Sequence, residues 1–167
     1  MFHIKYKNDK NINDLPNKME HPKVELKIFN ESHNPLPTYA TLLSSGFDLM
    51  SDGQYFIASG ERKLISTGLR VSIPVGYELQ IRSRSGLAAK NGICVLNSPG
   101  TIDADFSGKI SVILFNTSSE EFKVISGMKI AQAVLCPIVQ ASFIVCENVS
   151  QLGETVRGEG GFGSTGV

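Results

Sequence analysis

The sequence predicts an all-β fold, a sandwich or jelly roll with one short helix and a flexible C-terminal arm. Three observations support it. Short segments rich in β-branched and aromatic residues recur along the chain, proline and glycine turns separate them, and only one segment has helical composition. Many short strands at such spacing are typical of sandwiches and jelly rolls. A chain of 167 residues is long enough for one domain with a substantial core.

The strand segments follow one another from near residue 24 to near residue 146. The predicted strands are Val24–Phe29, Gln54–Ala58, Lys63–Ile73, Tyr77–Arg82, Ile93–Leu96, Lys109–Asn116, Glu121–Ile125, Lys129–Pro137 and Ala141–Cys146. The helix is predicted at Ser85–Asn91, because leucine, alanine and lysine there favour a helix. We therefore divide the chain into a polar, disordered leader (1–22), one β domain (23–147), and a linker with a glycine-rich arm (148–167).

The bulk properties exclude several classes of function. The chain has 16 basic and 16 acidic residues, so no polycationic surface indicates a nucleic-acid or membrane partner. No apolar run approaches the ~20 residues of a membrane span. The three cysteines show no C-x-x-C spacing, which favours reduced thiols in a cytoplasmic protein.

One segment has the composition of a phosphate site. Arg84, Ser85 and Gly86 stand at the predicted helix start, directly after a strand. Free N–H groups and the positive end of the helix dipole favour anions there, and Arg84 adds charge. The alternative interpretation is simple N-capping of a short helix.

A second segment, 97–106, predicts a hairpin around a Pro-Gly turn. Its inner wall could hold a flat base against main-chain groups. Asp103 and Asp105 are spaced to share one strand face, where they could bind a metal or divide acid and base roles. Aspartates at hairpin ends also commonly satisfy turn N–H groups, and the spacing fits both hypotheses.

Two isolated polar residues and the arm complete the candidates. Asp48 could bond to turn amides or hold a water of a metal ion, and Gln132 could satisfy core groups or contact a ligand. In the arm, Arg157 could bind phosphate and Phe162 could stack on a base, unless the arm is only a disordered tail. The arm's G-x-G-x-x-G is not a Rossmann fingerprint, because no helix can follow it.

These segments, in this order, resemble the five motifs of homotrimeric dUTPases. The segments are Ser45–Leu49, Arg84–Ala88, Gly100–Gly108, Gly127–Gln132 and Arg157–Gly166, and the resemblance runs from about Val24 to the C-terminus. It implies a distorted jelly-roll trimer whose active sites are shared between subunits. It also implies Mg²⁺-assisted hydrolysis of dUTP to dUMP and pyrophosphate, which keeps uracil out of DNA and supplies dUMP for thymidylate.

The resemblance implies a role for each candidate residue. Asp103 is the catalytic residue that activates the attacking water, Phe106 packs under the deoxyribose, and Asp48 holds waters on Mg²⁺. The uracil is read by Asn97, Gly100, Thr101 and Ile102; the phosphates by Arg84, Ser85, Gly86 and Gln132; and the arm closes through Arg157, Phe162, Gly163, Ser164 and Thr165.

The chain departs from the usual family pattern at Phe106, Ser83 and Ser45, where tyrosine, proline and alanine are common. None of these changes removes a chemical role. A dCTP deaminase, which has a similar fold, needs a glutamate where this chain has Ile113, so deamination is disfavoured. A non-catalytic jelly roll or nucleotide-binding regulator would not need Asp103, Arg157 and Phe162 together.

Overall fold

The computed structural model describes residues 22–161 and shows the expected all-β architecture. The strands are β1 (Lys27–Asn30), β2 (Phe47–Met50), β3 (Tyr55–Ile57), β4 (Arg62–Ser66), β5 (Leu69–Ser72), β6 (Tyr77–Arg82), β7 (Ile93–Val95), β8 (Gly100–Ile102), β9 (Ser111–Asn116), β10 (Phe122–Val124) and β11 (Lys129–Pro137). Helix α1 (Ser85–Asn91) and a 3-10 helix (Val149–Leu152) complete the elements.

The strands form antiparallel sheets with crossovers between distant parts of the chain. The largest has the order β2-β11-β6-β8, and a second has the order β4-β9-β7. Two smaller pairs, β1-β5 and β10-β3, extend the structure. The last strand, β11, therefore lies between β2 and β6, which joins the segments of residues 47, 82 and 132 in one sheet.

Alternating side chains of these sheets form one apolar core. In β9 the burial alternates strictly, with Val112 and Leu114 inside. Ile65 of the neighbouring strand β4, and Leu49 and Leu79 of the largest sheet, are also completely buried. Burial of a leucine or isoleucine side chain stabilises the fold by about 1.5–3 kcal/mol. The candidate site residues lie at the edges of this core, on strands that the core holds in place.

The predicted helix and most predicted strands are found, and the helix bounds agree. Helix α1 ends at Gly92, which has φ 65° and donates its N–H to the carbonyl of Ala88. The predicted strand Lys63–Ile73 is divided into β4 and β5, because Gly68 has φ 69° and turns the chain. Among the described residues, no helix is long and apolar enough to cross a bilayer.

The predicted strand Ala141–Cys146 is wrong, because this segment has no regular structure in the single chain. Its side chains Phe143, Ile144 and Val145 are 92%, 87% and 93% exposed. A strand needs a partner for its backbone groups, and no described strand of the chain lies beside this segment. Strand β2 was not predicted. A strand near β8 was implied only by the predicted hairpin, and β8 ends at Ile102, before Asp103.

Candidate active site

Asp48 lies at the centre of a charged cluster at one edge of the largest sheet. Strand β2 places it opposite Gln132 of β11. Its Oδ1 lies 3.0 Å from Nε of Arg84, and its Oδ2 lies 2.8 Å from Nζ of Lys129. All three side chains are partly exposed, so the cluster faces solvent with a net positive charge.

The polar side chain of Gln132 anchors the connection between β6 and α1. Its Nε2 donates to the carbonyl oxygen of Ser83 at 2.9 Å. Nη1 of Arg84 donates to the carbonyl of Lys129 at 2.8 Å, and the Ser83 hydroxyl accepts from the N–H of Val95 at 2.8 Å. Gln132 thus makes a structural hydrogen bond, and this bond holds the predicted phosphate segment, Arg84–Gly86, against β11.

The start of helix α1 is open. Arg84 is the N-cap residue and makes no side-chain capping bond, so the N-capping alternative for this segment is not observed. Ser85 and Gly86, the first helical residues, are exposed. The hydroxyl of Ser85 and the guanidinium of Arg84 therefore stand at one accessible surface beside Asp48.

Close backbone approach at Gly46 fixes where β2 begins. A Cβ at this position would lie 3.0 Å from the carbonyl oxygen of Ala133 and 3.3 Å from Oε1 of Gln132. A side chain here would force β2 away from β11. Because Asp48 is two residues further along β2, glycine at 46 helps to place its carboxylate.

The segment 97–106, which follows β7, carries the second group of candidates. The hairpin predicted there is wrong, because β7 pairs with β9 and β8 pairs with β6 in a different sheet. Gly100 is buried opposite Ile81, and a Cβ there would lie 3.2 Å from Nδ2 of Asn97. Asn97 and Thr101 are exposed and Ile102 is half-buried. Because β8 is an edge strand among the described strands, backbone groups on its outer side are available to a ligand.

Asp103 and Phe106 lie in the turn after β8. The N–H of Phe106 donates to the carbonyl of Asp103 at 3.1 Å, so Asp103 and Asp105 do not share a strand face, and the geometry behind that hypothesis is wrong. Asp103 is exposed. The ring of Phe106, 41% exposed, lies against Gly108, where a Cβ would be 2.5 Å from Cζ.

The two groups of candidates lie at opposite edges of the same sheet. Gln132 of β11 pairs with Asp48 on one side and with Arg82 of β6 on the other. Ile102 pairs with Leu79, three residues away from Arg82 along β6. Three strand spacings across and three residues along separate Asp48 from Ile102 by about 17 Å. The structure therefore brings Arg84, Gln132 and Asp48 together, and places Asp103 and Phe106 elsewhere on the chain.

The described part of the arm makes only local contacts. Nε of Arg157 donates to the carbonyl of Gly160 at 2.7 Å within a turn, and its side chain is exposed. The candidates Phe162, Gly163, Ser164 and Thr165 lie outside the described residues.

Lys129 is a site residue that the sequence interpretation missed. Only its position at the start of β11, three residues before Gln132, could have suggested it. No group of three or more His, Cys, Asp or Glu side chains within residues 22–161 is arranged to hold a metal. A metal ion whose ligands come from a bound substrate and from water is still compatible with this site. Asp48 could accept a hydrogen bond from one of those waters, because each carboxylate oxygen keeps a second lone pair beside its cation contact.

Comparison with known proteins gives the site its family. The dUTPase family model matches residues 32–166, which include all the segments just described. The chain belongs to the dUTPase family. The family expected from the five sequence motifs is thereby confirmed.

Relatives from bacteria support this membership. The deoxyuridine 5'-triphosphate nucleotidohydrolase of Nautilia profundicola is 52% identical over 144 residues, which cover 86% of this chain and 99% of that protein. The enzyme of the same name from Helicobacter hepaticus is 47% identical over 149 residues, 89% of this chain and 92% of that one.

Solved structures show the same fold. The dUTPase of Staphylococcus bacteriophage 80alpha with dUPNHPP is 25% identical and matches 87% of this dUTPase chain and all of its own, with a TM-score of 0.78. A mutant dUTPase of phage phi11, 23% identical, matches 76% of this chain and 99% of its own with a TM-score of 0.69. The phage phi11 protein coordinates a structural Mg(II) ion.

Proposed function

We propose that this dUTPase hydrolyses dUTP to dUMP and pyrophosphate. The observation that carries the proposal is the exposed Asp103–Phe106 turn at the end of edge strand β8, in a chain whose family match includes every motif. The bacterial relatives are named for this activity, and phage 80alpha dUTPase is seen with dUPNHPP.

The segment 97–106 is proposed to select the nucleotide. Main-chain groups on the outer side of β8, at Gly100, Thr101 and Ile102, pair with the uracil edge together with Asn97. The exposed ring of Phe106 packs under the deoxyribose and leaves no room for a 2'-hydroxyl. Unpaired polar groups and steric exclusion are what reject a wrong base or sugar.

Asp103 is proposed as the general base. Its carboxylate accepts a proton from a water whose oxygen attacks the α-phosphorus, while the bond from that phosphorus to the bridging oxygen breaks and pyrophosphate leaves. Such a reaction depends mainly on positioning and charge neutralisation. Arg84, with Ser85, Gly86 and Gln132, provides this at the phosphates, and Arg157, Phe162, Gly163, Ser164 and Thr165 close over the nucleotide.

Mg²⁺ is the proposed cofactor, because hard cations bind triphosphate oxygens. When bound, the ion would neutralise charge on the triphosphate. Asp48 would hold one of its waters. Lys129 and Arg84 hold that carboxylate in place from both sides.

The active site is proposed to be shared within a homotrimer. In one chain, about 17 Å separates Asp48 from the end of β8, so the two groups of candidates do not meet. A second chain could place its Asp103 beside the Arg84 cluster. The exposed apolar segment 141–146 gives a further reason for association, because water-exposed runs of this kind mark interfaces.

The organisation of the chain is part of the same proposal. We place a leader at 1–22, the catalytic domain at 23–147, and a linker and closing arm at 148–167. Action on free nucleotides fits a cytoplasmic protein that limits uracil in DNA and supplies dUMP.

The decisive experiment is product analysis with purified protein and Mg²⁺. We expect dUMP and pyrophosphate from dUTP, and far slower turnover of UTP, dTTP and dCTP. Deoxyuridine products from dCTP would instead indicate a deaminase. Equal rates with dUTP and UTP would exclude the role of Phe106 in reading the sugar.

A further inference from the structure

A cluster of charged side chains, none of them a proposed site residue, connects the small β1-β5 sheet to the loop between β8 and β9. Nε of Arg70, on β5, lies 2.6 Å from Oε1 of Glu31, which directly follows β1. Nζ of Lys109 lies 2.8 Å from the other oxygen, Oε2. Both cations thus converge on one carboxylate from different parts of the chain.

Arg70 also binds the loop itself. Its Nη1 donates to the carbonyl oxygen of Ser107 at 3.1 Å, one residue after Phe106. Glu31 is fixed in turn, because its N–H donates to the carbonyl of Gly68 at 2.8 Å. The loop 103–109 is therefore held through the Ser107 carbonyl and through the ammonium of Lys109.

The rest of the loop makes few other bonds that fix it. The N–H of Phe106 closes the turn on Asp103, and the Phe106 ring covers Gly108. The next bond to the small sheet is from the N–H of Ile110 to the carbonyl of Leu69, at 2.8 Å. Arg70 and Glu31 thus hold the stretch between the Asp103 turn and β9.

We propose that Arg70 and Glu31 are positioning residues that hold the Asp103–Gly108 loop in its reactive geometry. The inference rests on the proposed function, because it needs Asp103 as base and Phe106 under the sugar. Displacement of a reacting group by about 1 Å can reduce the rate roughly 100-fold. A tether one residue from Phe106 controls such displacement directly.

The chemistry of the cluster fits this role at neutral pH. Lys109 and then Arg70, by hydrogen bonding to Glu31, hold the pKa of its carboxyl below the usual value of 4.5. The charged form therefore persists throughout the neutral range. Because these side chains are partly exposed, the pairs contribute little to global stability. Loss of the tether should therefore affect the reaction more than the fold.

The test compares Arg70→Met and Glu31→Gln with the unchanged protein. Thermal unfolding is measured first, and the comparison uses a buffer in which the three proteins have the same unfolding temperature. Lys63→Met is the matched control, since Lys63 pairs with Glu61 at 3.6 Å and has the same 42% side-chain exposure as Arg70. We expect Arg70→Met to lower kcat for dUTP roughly tenfold, with KM changed far less. The ratio of kcat/KM for dUTP to kcat/KM for UTP should also fall.

Amide hydrogen exchange gives a readout that does not depend on activity. Exchange should accelerate in residues 103–110 of Arg70→Met and stay unchanged in residues 118–126. Glu31→Gln should shift both readouts in the same direction by a smaller amount, because Arg70 keeps its bond to Ser107.

The outcomes separate the two proposals. A protein that does not hydrolyse dUTP contradicts the proposed function, whereas the exchange data still test the tether. Unchanged kcat, UTP discrimination and exchange in Arg70→Met would overturn the positioning role. A loss of kcat equal to that of Lys63→Met would overturn it as well.

Discussion

At the scale of single residues, polar side chains in this chain do two tasks at once. Gln132 satisfies the Ser83 carbonyl and by doing so holds the Arg84 segment against β11. The sequence leaves open whether this glutamine is a core residue or a ligand contact, and the structure shows how it can position the site. Because the amide of this half-buried side chain has one specific partner, the structure shows which segment it positions.

Asp103→Asn tests the proposed base. The amide cannot accept the water's proton, so we expect kcat for dUTP to fall roughly 100-fold to 10,000-fold, the usual range for general base catalysis. KM should change little, because the side chain is exposed and the Asp103–Phe106 turn uses only backbone atoms. The measurement is steady-state pyrophosphate release. A variant with the original kcat would show that another group activates the water.

Lys129→Met tests the residue that the sequence interpretation missed. Loss of this cation leaves Arg84 as the only partner of Asp48 within the described cluster, so Arg84 becomes less available to phosphate. We expect KM for dUTP to rise roughly tenfold, since a charge-assisted contact contributes about 1.5–3 kcal/mol. Lys123→Met is the control, because Lys123 lies over the Phe56 ring on another sheet. An unchanged KM would mean that Lys129 only neutralises the charge of Asp48 and does not affect phosphate binding.

At the scale of elements, prediction succeeded where a local pattern was complete. The bounds of α1 follow from good helix formers between a strand and a glycine with positive φ. It failed for β2, for the pairing of β8, which joins β6 and forms no hairpin with β7, and for 141–146, where apolar composition did not reveal the missing partner. The spacing of Asp103 and Asp105 likewise assumed a strand that ends at Ile102.

The arm is an element whose role can be separated from the fold. A chain ended after Val156 loses Arg157, whose described hydrogen bond reaches only Gly160. We therefore expect the same unfolding temperature and oligomeric state, with most dUTP turnover lost because the phosphates lose a cation and the lid. Calorimetry and light scattering provide the controls. Full activity of the shortened chain would contradict the closing role of the arm.

At the scale of the whole molecule, the separation of about 17 Å between Asp48 and the end of β8 bears on how a site can form. The register of one sheet fixes both strands, so the two groups of candidates lie at its opposite edges within a chain. Association of chains is the simplest way to complete the site. Light scattering should accordingly show a trimer.

Mixing two inactive variants tests the shared site directly. Asp103→Asn and Arg84→Met should each be inactive alone, because every site of either trimer lacks one essential group. Trimers refolded from an equal mixture should regain roughly a quarter of the unmodified activity, since by chance one site in four draws both intact groups from different chains. A mixture of Asp103→Asn with itself, treated identically, is the control. If the mixed trimers stay inactive, Asp103 and Arg84 act within one chain, and the shared site is contradicted.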